Sequence, residues 1–221
     1  MTQNNEAVHK IFVIIIGGGL VGLPSALFLA WHKVPCILVE KHVTPSLHPR
    51  AIGYTPRTME IYSSVGLKDK VPEMPKNQVL RRIQVESLNS EWEEKPTPWT
   101  PRKDRNPDAK EGSPFRSAAI AQDRLEPILY ERAVALGAEV RRGHRMLDFD
   151  QDAESMVVIV SDAEQQQYEI KAQYMIAADG HSSPVRSKLD IEVSGAGYVD
   201  TVRSILFHAP TLDHDLERGC Q

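Results

Sequence analysis

Hydrophobic runs alternate with glycine-rich and polar breaks along the first forty residues of the chain. Residues 11–16 form a continuous β-branched and aromatic run, which is typical of a strand buried on both faces of a parallel sheet. A glycine cluster follows, and residues 20–32 then have the length and apolar spacing of a helix, with Pro24 in its first turn. Cys36–Glu40 has the pattern of a second short buried strand. This order predicts a βαβ unit.

The rest of the chain predicts two more helices and several short strands. Apolar spacing favours a helix over residues 56–66, ending at Gly66, and another over residues 123–136, ending before Gly137. Further strands are predicted over residues 138–142, 156–160, 168–172 and 174–178.

Residues 71–117 differ in composition from the rest of the chain, since they hold seven of the 15 prolines and many charged residues of both signs. Here we expect strands over residues 78–88 and 91–95, then an irregular loop over 96–113. The predicted fold class is therefore α/β: a discontinuous Rossmann-like domain with a parallel sheet over residues 1–70 and 119–190. Residues 71–118 and 191–221 are expected to form an incomplete, β-rich substrate-side region, with a strand near residues 201–209.

Composition and charge exclude several classes of function. The 221 residues are 41% hydrophobic and 25% charged, with a net charge of -4, so neither nucleic acid nor an anionic membrane is expected as a partner. The eight His residues show no metal-ligand spacing with Cys or carboxylates. Cys36 and Cys220 lie far apart and offer no disulfide framework, which favours a reducing, cytoplasmic setting. No metal site is predicted.

One uncharged stretch, residues 11–31, is long enough to span a bilayer. It is interrupted by a glycine cluster and by Pro24, however, and the residues before it lack the basic start of a signal peptide. Neither a membrane span nor a signal peptide is therefore expected.

The glycine cluster carries the clearest chemical signal. Gly17, Gly19 and Gly22 fit the GxGxxG pattern between a predicted strand and a predicted helix. The first glycine permits a tight turn, the second lets the backbone approach a pyrophosphate, and the third allows close helix–strand packing. Leu20 and Val21, within the turn, are included among the predicted cofactor contacts.

A carboxylate ends the second predicted strand. Glu40 lies 18 residues after Gly22, where it can accept hydrogen bonds from adenosine ribose hydroxyls. Its charge disfavours a 2′-phosphate at that position. The neighbouring Lys41 is included as a further candidate contact. A dinucleotide with an unmodified ribose is the prediction, although the turn and Glu40 alone do not separate FAD from NAD.

Further motifs occur in order along the chain, and together they carry a family resemblance. After the glycine turn and Glu40 come Pro49-Arg50-Ala51, Arg57-Thr58-Met59-Glu60, Ala121-Gln122-Asp123-Arg124-Leu125-Glu126 and Asp179-Gly180-His181-Ser182-Ser183-Pro184-Val185-Arg186. This series resembles the FAD-dependent aromatic-ring hydroxylases, the flavoprotein monooxygenases related to p-hydroxybenzoate and phenol hydroxylase. The similarity runs over nearly the whole chain and is closest to the polyketide and phenolic branch.

The resemblance implies roles for individual residues. Arg50 matches an arginine that contacts the FAD pyrophosphate, and Gln122 matches a glutamine that hydrogen-bonds the flavin side chain. Asp179 and Gly180 match a pair near the pyrophosphate and ribose that the family also associates with NAD(P)H. Arg186 completes that motif and is a candidate partner for a nicotinamide-cofactor phosphate. Each also has an ordinary structural interpretation: a surface arginine, a polar residue at a helix start, or a turn after a strand.

The implied activity is hydroxylation of a small phenolic or polyketide-type aromatic substrate with O2. FAD is the implied cofactor, reduced by NADH or NADPH, and no catalytic side chain is identified. The family's further Gly-Asp motif has no counterpart, since the sequence contains no Gly-Asp dipeptide. We therefore expect a truncated N-terminal part that binds FAD weakly. The alternatives are a catalytically inactive nucleotide-binding remnant or interaction protein, and an NAD-dependent dehydrogenase, which would leave Gln122 and residues 179–186 unexplained. Neither the exact substrate nor the oligomeric state is indicated.

Overall fold

The computed structural model describes residues 9–46, 52–74, 82–84, 86, 90, 91, 93–95 and 112–201. Its ten strands are β1 (His9–Ile16), β2 (Cys36–Glu40), β3 (Gly53–Tyr54), β4 (Arg82–Gln84), β5 (Glu93–Lys95), β6 (Ala118–Ala119), β7 (Glu139–Arg142), β8 (Arg145–Gln151), β9 (Met156–Ser161) and β10 (Gln167–Ala177). Its four helices are α1 (Gly22–Trp31), α2 (Pro56–Ser64), α3 (Gln122–Ala135) and α4 (Pro184–Lys188).

Six strands form one sheet in the order β7-β2-β1-β10-β9-β8. The first four run parallel to one another, whereas β9 pairs antiparallel with both β10 and β8. β1 lies inside the sheet, with Val13 opposite Cys36 on one side and Tyr174 on the other. A Rossmann-like α/β architecture is therefore confirmed, but as a mixed sheet rather than a purely parallel one.

The continuous apolar character of β1 reflects burial on both faces of the sheet. Val13 and Ile15 belong to the core on the helical face. Ile14 and Ile16 belong to a second core, which includes Phe149 and side chains of β9 and β10. Because alternate side chains of a strand point to opposite faces, each face needs its own apolar partners.

Helices α1 and α3 pack together over the first of these cores. Both helices contribute side chains with little or no exposed surface, namely Leu23, Ala26, Leu27, Ala30, Leu125, Leu129 and Ala133. Arg132 of α3 extends this contact, since its Nε donates to the Val65 carbonyl at 2.8 Å and its guanidinium lies 5.7 Å from the centre of the Trp31 ring. One side chain thereby joins the ends of all three long helices.

The short strands β3 and β6 lie beside the two ends of the segment of residues 71–117, which holds seven of the 15 prolines. β3 pairs antiparallel with β6, and Met74 N donates to the Ser117 carbonyl at 2.8 Å. The Glu73 and Arg116 side chains form an ion pair at 3.0 Å beside this contact. Residues 73–74 and 116–119 therefore lie close together in the structure. Within the segment β4 and β5 form a small antiparallel pair. Most of the predicted 78–88 strand, residues 96–111 of the predicted 96–113 loop and residues 202–209 of the predicted 201–209 strand lie outside the described residues.

The structure differs from the predicted strands in two places. Residues 168–172 and 174–177 belong to one strand, β10, because backbone pairing with β1 continues past Gln173. Strand β8 was not predicted. Of its seven residues only Phe149 is buried, so its sequence lacks the alternating apolar pattern of a half-buried strand.

Leu129 gives a direct test of the α1–α3 core. It has no exposed surface, so Leu129→Ala should lower the free energy of unfolding by about 2–5 kcal/mol. Val134, on the same helix, is 43% exposed, and Val134→Ala should change that free energy by about 0.5 kcal/mol or less. Urea unfolding of both variants measures the difference; equal effects would contradict this packing.

Tyr62 makes the stability sensitive to alkaline pH. Burial, and secondly the neighbouring Tyr54, raises the pKa of Tyr62 to about 12. Its phenol therefore stabilises the fold fully below the ordinary tyrosine pKa, and this contribution is lost as pH rises toward about 12. Unfolding measured over this range should show a smaller loss of stability for Tyr62→Phe than for the unmodified chain. Identical pH profiles would refute the assignment.

Candidate dinucleotide-binding site

The carboxyl ends of three neighbouring parallel strands meet at one edge of the sheet. Gly17 N, just after β1, donates to the Val39 carbonyl at 2.8 Å, and Ala178 N, just after β10, donates to the Ile16 carbonyl at 2.8 Å. These bonds bring the glycine turn next to the ends of β2 and β10. In open α/β sheets this edge is where ligands bind.

Two glycines of the turn are required by the protein's own backbone. Gly17 has φ +105°, and a Cβ on it would lie 2.3 Å from the Ala178 carbonyl oxygen. A Cβ on Gly22 would lie 1.8 Å from the Gly17 carbonyl oxygen. No larger residue fits at either position without moving the main chain.

Gly19 differs from both of these glycines. A Cβ on it would meet no described atom within 4 Å. Nothing in the described protein thus explains a glycine here, whereas close approach of an external group would. The neighbouring Leu20 packs partly buried against the helical core, and Val21 is 64% exposed.

The helix that follows has the features of an anion site. No side chain caps α1, and its first turn contains no acidic residue. A helix N-terminus presents backbone N–H groups and a partial positive charge. A pyrophosphate therefore fits this turn both sterically and electrostatically.

Glu40 is held against the glycine turn by two backbone bonds. Its Oε2 accepts from Gly18 N at 2.5 Å and its Oε1 accepts from His42 N at 2.7 Å. A carboxylate has about four acceptor positions, so two remain for the hydroxyls of a ribose. Lys41, the next residue, is exposed at the same strand end.

The Asp179–Arg186 motif forms a closed loop that leads into α4. Asp179 Oδ2 accepts from Val185 N at 3.1 Å, and Ser183 Oγ accepts from Arg186 N at 3.1 Å. Gly180 has φ +89°. Arg186 Nη2 donates to the His181 carbonyl at 2.9 Å. Asp179 and Arg186 thus shape the loop, and their contacts with a cofactor phosphate stay a prediction.

Gln122 is placed by a different element, as the first residue of α3. Its Nε2 donates to Glu126 Oε1 at 2.6 Å, and Glu126 is only 3% exposed. The motif contained Glu126, but its burial depends on how α3 packs and was not predicted. Arg50 lies outside the described residues.

Two features are absent from the described residues. In that part of the chain, no group of three or more His, Cys, Asp or Glu side chains could hold a metal ion. No described helix has the length and apolar character needed to cross a bilayer.

A βαβ unit with a glycine turn, an uncapped helix start and a carboxylate on the next strand defines a dinucleotide-binding domain. The chain belongs to the FAD binding domain family, whose model matches residues 10–218. It is 37% identical to the tetracenomycin A2 monooxygenase-dioxygenase of Streptomyces glaucescens, over 94% of this chain and 39% of that protein. It is 33% identical to the 4-methyl-5-nitrocatechol 5-monooxygenase of a Burkholderia species, over 90% of this chain and 36% of that one.

A solved structure shares the fold. The flavin-dependent monooxygenase PieE, in complex with FAD and substrate, is 28% identical with a TM-score of 0.77, over 85% of this chain and 33% of that one. The chain thus spans less than two-fifths of the length of each of these relatives. These findings confirm that the chain belongs to the predicted family and corresponds to an N-terminal portion of such a protein. They also confirm FAD as the cofactor of the family.

Substitutions at Gly19 and Gly22 distinguish an effect on FAD binding from an effect on folding. Gly19→Ala should leave the melting temperature nearly unchanged, because its Cβ points into open space, but should weaken FAD binding by about tenfold or more if a pyrophosphate lies there. Gly22→Ala should lower the melting temperature as well, because of the backbone clash. Thermal unfolding and FAD titration of both variants measure this. Unchanged FAD affinity in Gly19→Ala would rule out the pyrophosphate position.

Proposed function

We propose that the chain supplies the FAD-binding part of an NADH- or NADPH-dependent flavoprotein monooxygenase. Its reaction would be the hydroxylation, with O2, of a phenolic or polyketide-type aromatic ring. The observation that supports this most is the meeting of the glycine turn, Glu40 and Asp179 at one sheet edge. The family match supports FAD as the dinucleotide.

Each predicted contact has a place in this proposal. The turn from Gly17 to Gly22 and the start of α1 would bind the pyrophosphate, and Glu40 with Lys41 would bind the adenosine ribose. Asp179 and Gly180 would lie at the pyrophosphate and ribose. Gln122 would contact the flavin side chain. Arg50 and Arg186 would supply cations for FAD and nicotinamide-cofactor phosphates, respectively.

The chain's own contribution to the chemistry is binding and orientation. Bound FAD supplies the electron transfer and the oxygen chemistry of such enzymes. The residues described above hold the adenosine and pyrophosphate end, and we assign no catalytic side chain. Residues 1–70 and 119–190 would form this FAD-binding unit, with residues 71–118 and 191–221 on the substrate side. We propose a cytoplasmic location, with neither nucleic acid nor membrane as a partner.

The substrate class is proposed from the names of relatives. One relative is named for tetracenomycin A2 and another for 4-methyl-5-nitrocatechol, which is a phenol. An electron-rich aromatic ring is the feature that a hydroxylase of this kind would need. No finer choice among such rings is proposed.

A second candidate is nucleotide binding without hydroxylation. It applies to the 221 residues taken by themselves, since they span less than two-fifths of the length of the relatives and contain no Gly-Asp dipeptide, the motif that by resemblance completes the flavin site. An NAD-dependent dehydrogenase is disfavoured, because the family model matched over residues 10–218 is an FAD-binding one.

Ligand titration of the purified 221-residue chain tests these proposals. We expect FAD to bind, with low affinity and a changed flavin absorption spectrum, and NAD⁺ not to compete for the same site. We also expect little NADH or NADPH oxidation on adding a phenol. Binding of NAD⁺ without FAD would overturn the proposed cofactor. Stoichiometric FAD with substrate-dependent NAD(P)H oxidation would overturn the second candidate.

A further inference from the structure

Arg142 is the last residue of β7 and lies beside Glu40 at the carboxyl edge of the sheet. The two residues are opposite each other in the parallel β2–β7 pair, and His144 N donates to the Glu40 carbonyl at 3.0 Å. Two positions earlier in the same pair, Leu38 and Val140 both pack in the core under the helices. Because side chains alternate along a strand, Glu40 and Arg142 both project on the helical face.

The Arg142 side chain contacts α3 and not Glu40. Its guanidinium carbon lies over the Tyr130 ring, 5.2 Å from the ring centre, and Tyr130 packs partly buried against the helical core. A guanidinium in this position is attracted by the ring electrons. Within the part of the chain that the structure describes, the guanidinium makes no hydrogen bond or ion pair, although Arg142 is half-buried. Its N–H donors and its planar surface are therefore available to a ligand.

The sheet order places this arginine on the path of a bound dinucleotide. In the proposed function the pyrophosphate lies at the turn after β1, and the adenosine ribose lies at Glu40, after β2. The strands follow the order β7-β2-β1, so the path from pyrophosphate to ribose runs from β1 toward β2. Continuing by one strand, about 4.8 Å, leads to the end of β7. A base attached to this ribose would thus arrive at Arg142.

We propose that the Arg142 guanidinium, held over the Tyr130 ring, is the surface on which the purine base of the dinucleotide stacks. The inference rests on the proposed function, in which Glu40 binds the ribose. A guanidinium is planar and delocalised and stacks on aromatic faces, which the compact ammonium of a lysine cannot do. Tyr130 is then a positioning residue, because its ring holds the guanidinium away from Glu40. The Glu40 carboxylate thereby stays available to the ribose hydroxyls.

Substitution of Arg142 tests the contact with the base. Arg142→Met keeps a flexible side chain but removes the plane and the charge, and we expect about tenfold weaker binding of FAD and of ADP. Arg142→Lys keeps the charge without the plane and should weaken ADP binding nearly as much. UDP offers a smaller base for stacking, so its affinity should fall about threefold or less in Arg142→Met. Isothermal titration calorimetry measures these affinities.

Substitution of Tyr130 tests its positioning role. Tyr130→Phe retains the ring and should leave the ADP affinity unchanged, whereas Tyr130→Leu removes the ring and should weaken ADP binding. Adding Tyr130→Leu to Arg142→Met should cause no further loss, because Tyr130 acts through Arg142. If Arg142→Met does not fold, the comparison of Tyr130→Leu with Tyr130→Phe decides the question.

Arg145→Met is the matched control for loss of a positive charge. Arg145 begins the next strand, β8, and is exposed. The substitution removes the same charge close to Arg142 and should leave the ADP affinity unchanged. An equal loss in Arg142→Met and Arg145→Met would show that nearby positive charge, and not stacking, accounts for the effect, and would overturn the inference.

Other results would also overturn it. These are unchanged ADP affinity in Arg142→Met, full ADP affinity in Arg142→Lys, and equal losses for ADP and UDP in Arg142→Met. Unchanged ADP affinity in Tyr130→Leu, or a further loss in the double variant, would refute the positioning role. In each of these cases FAD binding by the unmodified chain would leave the proposed function standing. If the unmodified chain binds neither FAD nor ADP, the proposed function itself fails, and the inference fails with it.

Discussion

The close approach of two strand ends at Gly17 is the constraint on which the site depends. A Cβ on Gly17 would lie 2.3 Å from the Ala178 carbonyl oxygen, so β1 and β10 can end side by side only if this residue is glycine. The glycine turn then lies next to the end of β10, and therefore next to Asp179. Residue 22 must also be glycine, because a Cβ there would clash with the Gly17 carbonyl oxygen. The candidate dinucleotide site at this edge is thus built from main-chain contacts before any side chain is considered.

The βαβ unit could be predicted closely because its determinants are local. A β-branched run, a glycine turn and an apolar stretch of helical length lie within forty residues, and β2 was predicted with its observed bounds, Cys36–Glu40. Strand direction farther along the chain is not a local property. The antiparallel pairing of β9 and the uninterrupted length of β10 both depend on neighbours distant in sequence. The edge strand β8 has one buried residue, so its sequence carries too little pattern to be found.

The residues of the candidate site also differ in whether local sequence was enough to predict them. Gly17, Gly22 and Glu40 could be predicted because a turn and a strand end bring them together. Asp179 accepts a bond from Val185 N, and Arg186 donates one to the His181 carbonyl. Asp179 and Arg186 therefore have structural roles that the motif alone did not indicate. Glu126 shows the limit most clearly, since an acidic residue in a helix is usually solvated, whereas this one is 3% exposed because of how α3 packs in the fold.

The two backbone bonds to Glu40 have a consequence for binding energetics. A free glutamate side chain loses rotamer freedom when it engages a ligand, at a cost of about 0.5–1.5 kcal/mol. With Gly18 N and His42 N already bound to its two oxygens, Glu40 has lost that freedom during folding. The carboxylate is thus preorganised, and a ribose bound in the proposed position would find its acceptors already in place. The entropy lost in ordering the Glu40 side chain therefore lowers the stability of the fold, and it is not lost again when a cofactor binds.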